Sequence, residues 1–317
     1  MYSVDLSMVS PGFERIITSG TELEQLVTGL IFTEGPLWDP KEKALIFTDI
    51  RGNKIYKWKE GVGLETIYAP SATANGLTYD NKNRILVTGW SSRTVWRINS
   101  DRSTNVLASH WKGQKLNTPN DLVVKSDGTI WFTDMFAGLW IPGMCVDDIQ
   151  RYLDFEGTFR MNEDGSSLAL MVDDLCGPNG LCFSPDEKLL YINESDINRT
   201  RVWDVQADNS LINGRLFYQD QGTEPGVADG MKVDVEGNVY ITGSFGIHVV
   251  SPSGKLLGRI HVPEHVERHA ANMAWGDEDW RSLYITARGC VYRIRLGIPG
   301  IPHGQVNRQK VLKEYSK

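Results

Sequence analysis

Six segments of the chain begin with a carboxylate or amide side chain that stands directly before an apolar stretch. These residues are Glu34, Asn75, Asn120, Asn179, Asp229 and Asn272. Two acids and four amides, with no histidine or cysteine among them, form a set of oxygen donors of the kind that hard divalent cations prefer. If the six side chains converge, the two carboxylates would repel one another and would take up either a proton or a cation.

A fixed spacing links each of these residues to a second polar residue further along the chain. The second residue is Thr or Asn at the end of a β-branched and aromatic stretch, and it follows the first by 13 or 14 positions. The pairs are Glu34–Thr48, Asn75–Thr88, Asn120–Thr133, Asn179–Asn193, Asp229–Thr242 and Asn272–Thr286. Successive copies are 41 to 59 residues apart, a period typical of β-propellers with four-stranded blades.

The repeat therefore predicts an all-β fold, a six-bladed β-propeller that forms a single domain over residues 1–317. Its blades should begin near residues 34, 75, 120, 179, 229 and 272. The outermost strand of the sixth blade is left open between the C-terminal segment "QKVLKEY" and the N-terminal segment "ERIIT".

The first strand of each propeller blade lies nearest the central axis, so the six polar residues should form a ring at one mouth of a central metal-binding channel. Ca²⁺ fits this ring best because it accepts an adaptable shell of oxygen ligands, with Mg²⁺, Mn²⁺ or Zn²⁺ as alternatives. A channel lined by polar side chains and filled with water is the simpler interpretation.

The longest step between copies, 59 residues, contains an insertion after Thr133 that is rich in Met, Phe, Trp and Tyr. Long loops with their own apolar residues often cover binding sites. We expect this insertion to act as a lid and to place Met135, Phe136 and Trp140 against the substrate, the alternative being an insertion packed on the outer surface.

One histidine, His269, precedes a ring residue by three positions and is a candidate to reach the channel mouth and contact a substrate, although a solvated loop histidine is the commoner outcome. The nearby "HVPEH" segment, from His261 to His265, matches a zinc-protease pattern that requires a helix. Because Pro263 would interrupt such a helix, we expect a loop and no zinc site there.

Composition excludes several classes of function. A net charge of −7 argues against a nucleic-acid partner, and no apolar run reaches the roughly 18 residues that a membrane span needs. The first residues lack the pattern of a signal peptide, and the four cysteines match no metal or redox motif. We therefore expect a cytoplasmic protein with free thiols; the sequence leaves the oligomeric state open.

Several motifs resemble those of the gluconolactonase and senescence-marker-protein (regucalcin-like) family, over about residues 20–295. They are "FTEGPLW", "LNTPNDLVVKSDGTIWFTD", "GPNGLCFSPDEKLLY" and "VADGMKVDVEGNVYITG". The resemblance implies a six-bladed propeller with one divalent metal, usually calcium, that hydrolyses sugar lactones. It further implies that Glu34, Asn179 and Asp229 hold the metal, that Asn120 contacts the substrate or the metal, and that Asp229 is the candidate base. Asn75 and Asn272 then remain as substrate-binding positions.

The sequence also departs from the family pattern. Thr118 stands where the animal members have an arginine, Met135 and Phe136 stand where many bacterial members have a proline and an aromatic residue, and Glu194 often corresponds to an aspartate. These changes put the identity of the lactone in doubt. Two other functions stay open: hydrolysis of phosphotriesters of the diisopropyl fluorophosphate type on the same calcium propeller, and calcium binding without catalysis.

Overall fold

Six antiparallel sheets surround a common axis and form a six-bladed β-propeller, as the repeat predicted. The structure is a computed structural model and describes residues 2–3, 6–8, 10–17, 20–144, 148–267, 269–303 and 305–315. Each blade runs outward from the axis in four antiparallel strands, which are consecutive in the chain in the first five blades.

The strand bounds follow the repeat. Blades 1 and 2 contain Thr33–Asp39, Ala44–Asp49, Lys54–Lys59 and Gly63–Tyr68, then Ala74–Tyr79, Ile85–Gly89, Thr94–Ile98 and Thr104–Ala108. Blades 3 and 4 contain Thr118–Val124, Ile130–Met135, Gly157–Met161 and Ala169–Val172, then Pro178–Phe183, Leu189–Glu194, Arg199–Val205 and Leu211–Gln219. Blades 5 and 6 contain Met231–Val233, Val239–Gly243, Gly246–Val250 and Leu256–His261, then Asn272–Gly276, Ser282–Ala287 and Cys290–Arg295.

An N-terminal strand closes the ring, and it lies in neither of the two segments proposed from the sequence. Strand Glu22–Val27 pairs antiparallel with Cys290–Arg295 and becomes the fourth strand of blade 6. Tyr2–Ser3 extends blade 6 and Leu6–Met8 extends blade 5, each as a fifth strand. Residues 14–16 of "ERIIT" lie instead in the helix Phe13–Ile16, with Thr18 outside the described residues, and "QKVLKEY" lies in the helix Gln305–Tyr315.

Apolar side chains between neighbouring blades form the core. The first strand of every blade contacts the first strand of the next, and blade 6 contacts blade 1 in the same way. Separate hydrophobic clusters fill the spaces between blades; the one between blades 1 and 2, for example, includes Leu37, Ile46, Leu77 and Val87. This burial is the main stabilising contribution to the ring.

The spacing of 13 or 14 residues has a structural cause. In blades 1 to 3, the Thr hydroxyl at the end of the second strand donates a hydrogen bond to the backbone carbonyl of the next blade's ring residue. Thr48 bonds Asn75 at 2.9 Å, and Thr133 bonds Asn179 at 2.7 Å. In blade 4 the Asn193 amide does the same to the Asp229 carbonyl at 2.7 Å. In blades 5 and 6 the Thr hydroxyl bonds within its own blade. The repeated residue therefore fixes the ring residues in place.

Glycine follows the ring residue in four of the six blades because neighbouring blades approach closely there. A Cβ atom on Gly180 would lie 2.3 Å from the Asp229 carbonyl oxygen, and one on Gly35, whose φ is +48°, would lie 2.1 Å from the Asn75 carbonyl oxygen. Any larger side chain would push the blades apart at the axis.

The remaining elements lie outside the blades. They are the strand pair His110–Trp111 and Gln114–Lys115, the helix Ala137–Trp140, and the 3-10 helices Ser195–Ile197 and Glu264–Val266. At the end of the axis opposite the ring residues, residues 301–303 and Arg308 cover a small cavity of about 100 Å³. Within the described residues, no helix combines the length and apolar character that crossing a membrane requires.

Candidate active site at the channel mouth

A cavity of about 360 Å³ opens at the end of the axis where the inner strands begin. Its size is at the lower end of the range of about 300–1,000 Å³ for small-molecule sites. Eight of the residues singled out from the sequence line it: Glu34, Asn75, Asn120, Met135, Trp140, Asn179, Asp229 and His269. Asn272 and Phe136 do not belong to the lining.

The two carboxylates of the ring, Glu34 and Asp229, are both buried. Burial, together with the charge of Asp121, raises the pKa of Glu34 to about 7, although the Gly35 amide donates to its Oε2 at 2.6 Å. Burial and the charges of Glu34 and Asp121 raise the pKa of Asp229 well above its ordinary value. The mouth therefore concentrates negative charge in a poorly solvated space.

The Asn179 side chain is held by a hydrogen bond from its amide nitrogen, and it also interacts with the Asp229 carboxylate, where it opposes the rise in pKa. Its Nδ2 donates to Ser195 Oγ at 3.0 Å, and Ser195 Oγ in turn donates to the Ala228 carbonyl at 2.7 Å. The Asn179 Oδ1 atom is buried, and no described residue provides it with a hydrogen-bond donor. A buried acceptor without a donor is costly unless a ligand satisfies it.

These observations test whether the residues fit a divalent cation. Two buried carboxylates with raised pKa values and one unpartnered amide oxygen line the same cavity, and a cation among them would relieve both the repulsion and the missing contact. In the described chain, no group of three or more His, Cys, Asp or Glu side chains has metal-binding geometry. The fit therefore rests on mixed carboxylate and amide oxygens, which suit a hard cation.

A second layer of polar groups lies beneath the ring. It includes Asn272, which the sequence argument had placed at the mouth together with the other ring residues. Asn272 Nδ2 donates to Glu34 Oε2 at 3.1 Å and to Asp121 Oδ2 at 3.4 Å, and its Oδ1 accepts from Lys232 Nζ at 3.4 Å. Asn272 thus positions Glu34 from below. Asp121 and Lys232 were missed, although a charged side chain on an innermost strand is a signal in itself.

His269 lies in the lining of the cavity at the mouth. Its Nε2 lies 3.9 Å from Asp229 Oδ2, too far for a hydrogen bond. Burial, followed by the charge of Arg288, lowers the pKa of His269 to about 4, so the imidazole is neutral near pH 7. His265, by contrast, is bonded to the Tyr292 hydroxyl at 2.9 Å, and its segment is a single 3-10 turn after Pro263.

The insertion contributes to the wall of the cavity and is tied down at its base. Met135 and Trp140 line the cavity, and Asn120 Nδ2 contacts Met135 Sδ at 2.9 Å. Phe136 is instead buried, with the Arg151 guanidinium 3.6 Å from its ring centre. Buried Arg93 donates to the carbonyl oxygens of residues 116 and 117 and to those of residues 148 and 150, which holds the insertion against the blade.

The lining also contains five polar residues that the repeat did not reveal: Arg51, Glu156, Ser195, Asp196 and Arg288. Glu156 accepts hydrogen bonds from the backbone amides of Phe136 at 2.6 Å and Gly177 at 2.9 Å, which links the insertion to blade 4. Burial raises the pKa of Glu156. It has no counterpart in the other blades, so spacing could not have found it.

Two residues that departed from the family pattern lie behind the lining. Glu194 accepts from the backbone amide of Cys176 at 3.0 Å and pairs with Arg199. Thr118 donates to the Met135 carbonyl at 2.5 Å and accepts from the Gly138 amide at 3.2 Å, beneath the helix Ala137–Trp140. Both residues support loops at the mouth.

Comparison with known proteins finds relatives that share sequence and fold with this chain. The chain is 30% identical to the gluconolactonase of Zymomonas mobilis over 312 residues, covering 92% of this chain and 85% of the relative. A solved gluconolactonase structure from Xanthomonas campestris superposes with a TM-score of 0.84 and 29% identity over 93% of this chain and 96% of the other. A calcium-binding regucalcin from Agrobacterium tumefaciens shares the fold, with a TM-score of 0.74, 16% identity, and coverage of 90% and 97%. The family description "SMP-30/Gluconolactonase/LRE-like region" matches residues 32–289, and the chain belongs to that family.

Proposed function

We propose that this protein is a metal-dependent hydrolase that opens a lactone ring, with sugar lactones as the substrate class that its relatives indicate. The observation that carries the proposal is the single cavity in which Glu34, Asn179 and Asp229 meet, with the Asn179 amide oxygen unpartnered. The relatives that support it include the gluconolactonase of Zymomonas mobilis and the pentonolactonase XacC of Haloferax volcanii, which is 25% identical over 260 residues.

Glu34, Asn179 and Asp229 would hold the cation, with Ca²⁺ as the first candidate because these ligands are all oxygen atoms. The bound cation would act as a Lewis acid toward the lactone carbonyl oxygen, where negative charge develops during hydrolysis. Asn272 would keep Glu34 in position through the bond to its Oε2.

Asp229 is the proposed general base. Its carboxylate is buried in the cavity beside Glu34 and Asn179, where it would reach a water molecule held next to the proposed metal ligands. Asp229 would take a proton from the attacking water as the oxygen adds to the carbonyl carbon. The ring C–O bond then breaks, and the same proton returns to the departing ring oxygen. The product is one hydroxy acid, so atoms and charge balance.

Substrate orientation would come from the remaining lining residues. Asn120 and Asn75 stand beside the carboxylates on the ring. The Asn120 amide nitrogen is directed at Met135, which fixes the orientation of the amide. Neutral His269, whose Nε2 lies 3.9 Å from Asp229 Oδ2, would contact a substrate bound beside the proposed base.

The test is a metal-reconstitution assay. Protein stripped with EDTA is reloaded separately with Ca²⁺, Mg²⁺, Mn²⁺ or Zn²⁺, and proton release is followed in a pH-stat with glucono-1,5-lactone, a pentonolactone and a fluorophosphate. We expect hydrolysis of the lactones that depends on one of the metals. Hydrolysis of the fluorophosphate alone would assign the phosphotriester function, and tight calcium binding with no hydrolysis would assign a binding protein.

A matched pair of variants ties the activity to this cavity. Asn179→Ser removes the unpartnered amide oxygen at the mouth, whereas Asn209→Ser removes a buried and equally unpartnered amide oxygen that is outside the cavity. We expect the first variant alone to lose metal affinity and turnover. Equal losses in both variants would refute the assignment of the metal to this site.

A further inference from the structure

The cavity at the mouth has an apolar wall that the proposed chemistry does not use. One hydrophobic cluster of the molecule lies apart from the cores between blades, and all seven of its residues line this cavity. They are Phe32, Ile50, Trp90, Met135, Ala137, Ile141 and Met144. We call this set the apolar wall.

The wall occupies one half of the ring. The residue two positions after the repeated Thr or Asn is Ile50 in blade 1, Trp90 in blade 2 and Met135 in blade 3, and all three line the cavity. In blades 4 and 6 the same position is Ser195 and Arg288, which also line it. Equivalent positions are thus apolar around one half of the mouth and polar around the other.

The wall is buried at its base and continues to the surface. Ile50 and Met144 are buried, while Trp140, next to the wall on the insertion, is 62% exposed. A hydroxyl placed against such a surface would lose its bonds to water and gain none in return. An alkyl or aryl group placed there would instead be removed from water with a gain in affinity.

We propose that the site takes a second class of substrate, lactones that carry an apolar substituent of several carbons on the ring. The lactone ring would lie at the carboxylates, and the substituent would cover the apolar wall and extend toward Trp140. This inference rests on the lactonase function proposed above, and it adds a substrate class that differs from polyhydroxylated lactones in the group facing blades 1 to 3.

The test uses metal-loaded protein and a series of δ-valerolactones with hydrogen, methyl, propyl or pentyl at ring carbon 5, beside glucono-1,5-lactone. We expect kcat/KM to rise about fourfold for each added methylene until the substituent fills the wall. A kcat/KM that is flat or falls with chain length, with glucono-1,5-lactone hydrolysed, would overturn the inference and leave the lactonase function standing.

Three apolar residues of the insertion provide test and control variants: Trp140 and Ile149 are exposed, and Ile141 is partly buried in the wall. Trp140→Ala and Ile141→Ser should lower the ratio of kcat/KM for the pentyl lactone to that for the methyl lactone by about tenfold. Ile149→Ala changes a side chain that is 61% exposed and outside the cavity, and it should leave the ratio unchanged. A ratio that moves equally in Trp140→Ala and Ile149→Ala would contradict the assignment.

Binding of the corresponding 5-alkyl δ-valerolactams, which resist hydrolysis, separates this inference from the proposed function. If no lactone is hydrolysed with any metal, the lactonase proposal fails, and calorimetry on the lactams still decides whether the wall binds alkyl groups. Affinity that rises with chain length supports the wall, and affinity independent of chain length refutes it.

Discussion

Replacing Glu34 by glutamine should stabilise the metal-free protein, although it removes a proposed metal ligand. Burial raises the pKa of Glu34 from 4.5 to about 7 in the folded state. Because the pKa is raised in the folded state, the protonated carboxyl group makes its full contribution to stability below pH 4.5. This contribution is lost as the pH rises through about 7. Above that window the ionised group destabilises the metal-free fold, and Glu34→Gln removes the charge while keeping an amide of similar shape.

The magnitude follows from the difference between the two pKa values. The interval from 4.5 to about 7 corresponds to about 3 kcal/mol in the free energy of unfolding at pH 8. Glu34 is buried, so solvent screens little of this effect. With an unfolding entropy of roughly 2.1 cal/mol/K per residue, a chain of 317 residues converts about 3 kcal/mol into an increase of about 4 °C in Tm.

The assay compares melting curves of wild type and Glu34→Gln in EDTA and in calcium. In EDTA at pH 8 the variant should melt about 4 °C higher, and the difference should disappear near pH 4.5. Calcium at about 100 times its Kd should stabilise the wild type by about 2.7 kcal/mol and the variant by much less. A variant that melts below the wild type in EDTA at pH 8 would refute the electrostatic argument, and a wild-type Tm that ignores both EDTA and calcium would refute the metal site.

Three further outcomes are expected. Asp229→Asn should lower kcat by about 10²–10⁴-fold at saturating calcium; turnover near that of the wild type would assign Asp229 to metal binding alone. Thr133→Val should lower the free energy of unfolding in urea by about 1–3 kcal/mol, because the Asn179 carbonyl loses its bond from Thr133, whereas Thr66→Val on an exposed strand should change it little. Arg93→Lys loses the planar fork that bonds four carbonyl oxygens, so limited proteolysis should cut the insertion faster and calcium affinity should stay the same; an unchanged cleavage rate would mean that other contacts hold the insertion.

The architecture was accessible from the sequence because its repeat has a geometric cause. Each ring residue starts an inner strand, and each following Thr or Asn ends the adjacent strand, so the distance between them is set by hairpin length. The hydrogen bond that this Thr donates to the neighbouring blade could not be predicted from the sequence. Thr48 bonds the carbonyl of Asn75, which is 27 residues away and belongs to another sheet.

The closure of the ring was missed because local sequence favoured the wrong segments. Strand Glu22–Val27 is half polar and mostly only partly buried, since it lies at the outer side of blade 6, so it carries little strand signal. "ERIIT" is more apolar, but Phe13 and Ile16 bury their side chains from a short helix. "QKVLKEY" consists largely of good helix formers and becomes a helix.

The site was accessible in part. The ring positions identified five residues that line one cavity, but spacing carries no information on depth, so Asn272 was not distinguished from its neighbours. Its amide bonds Glu34 and Asp121 below the cavity. Phe136 is an aromatic residue of the insertion and was therefore predicted to contact the substrate, yet its ring lies under the Arg151 guanidinium. Side-chain direction within an irregular insertion depends on tertiary contacts that the sequence does not display.

Two positions at the end of the second strand of each blade have different roles. The first is the repeated Thr or Asn, and the second is the residue two positions later. In blades 1 to 4 the Thr or Asn bonds the neighbouring blade's ring residue, and so determines where the proposed metal ligands stand. The residue two positions later faces the mouth in five blades and is Ile, Trp, Met, Ser or Arg. A change at Ile50 in blade 1 alters the wall of the cavity without removing a side-chain hydrogen bond to the ring, whereas Ser195 in blade 4 accepts a hydrogen bond from Asn179. The propeller can therefore alter the group that a substrate must present to the wall while the proposed metal-binding ring keeps its geometry.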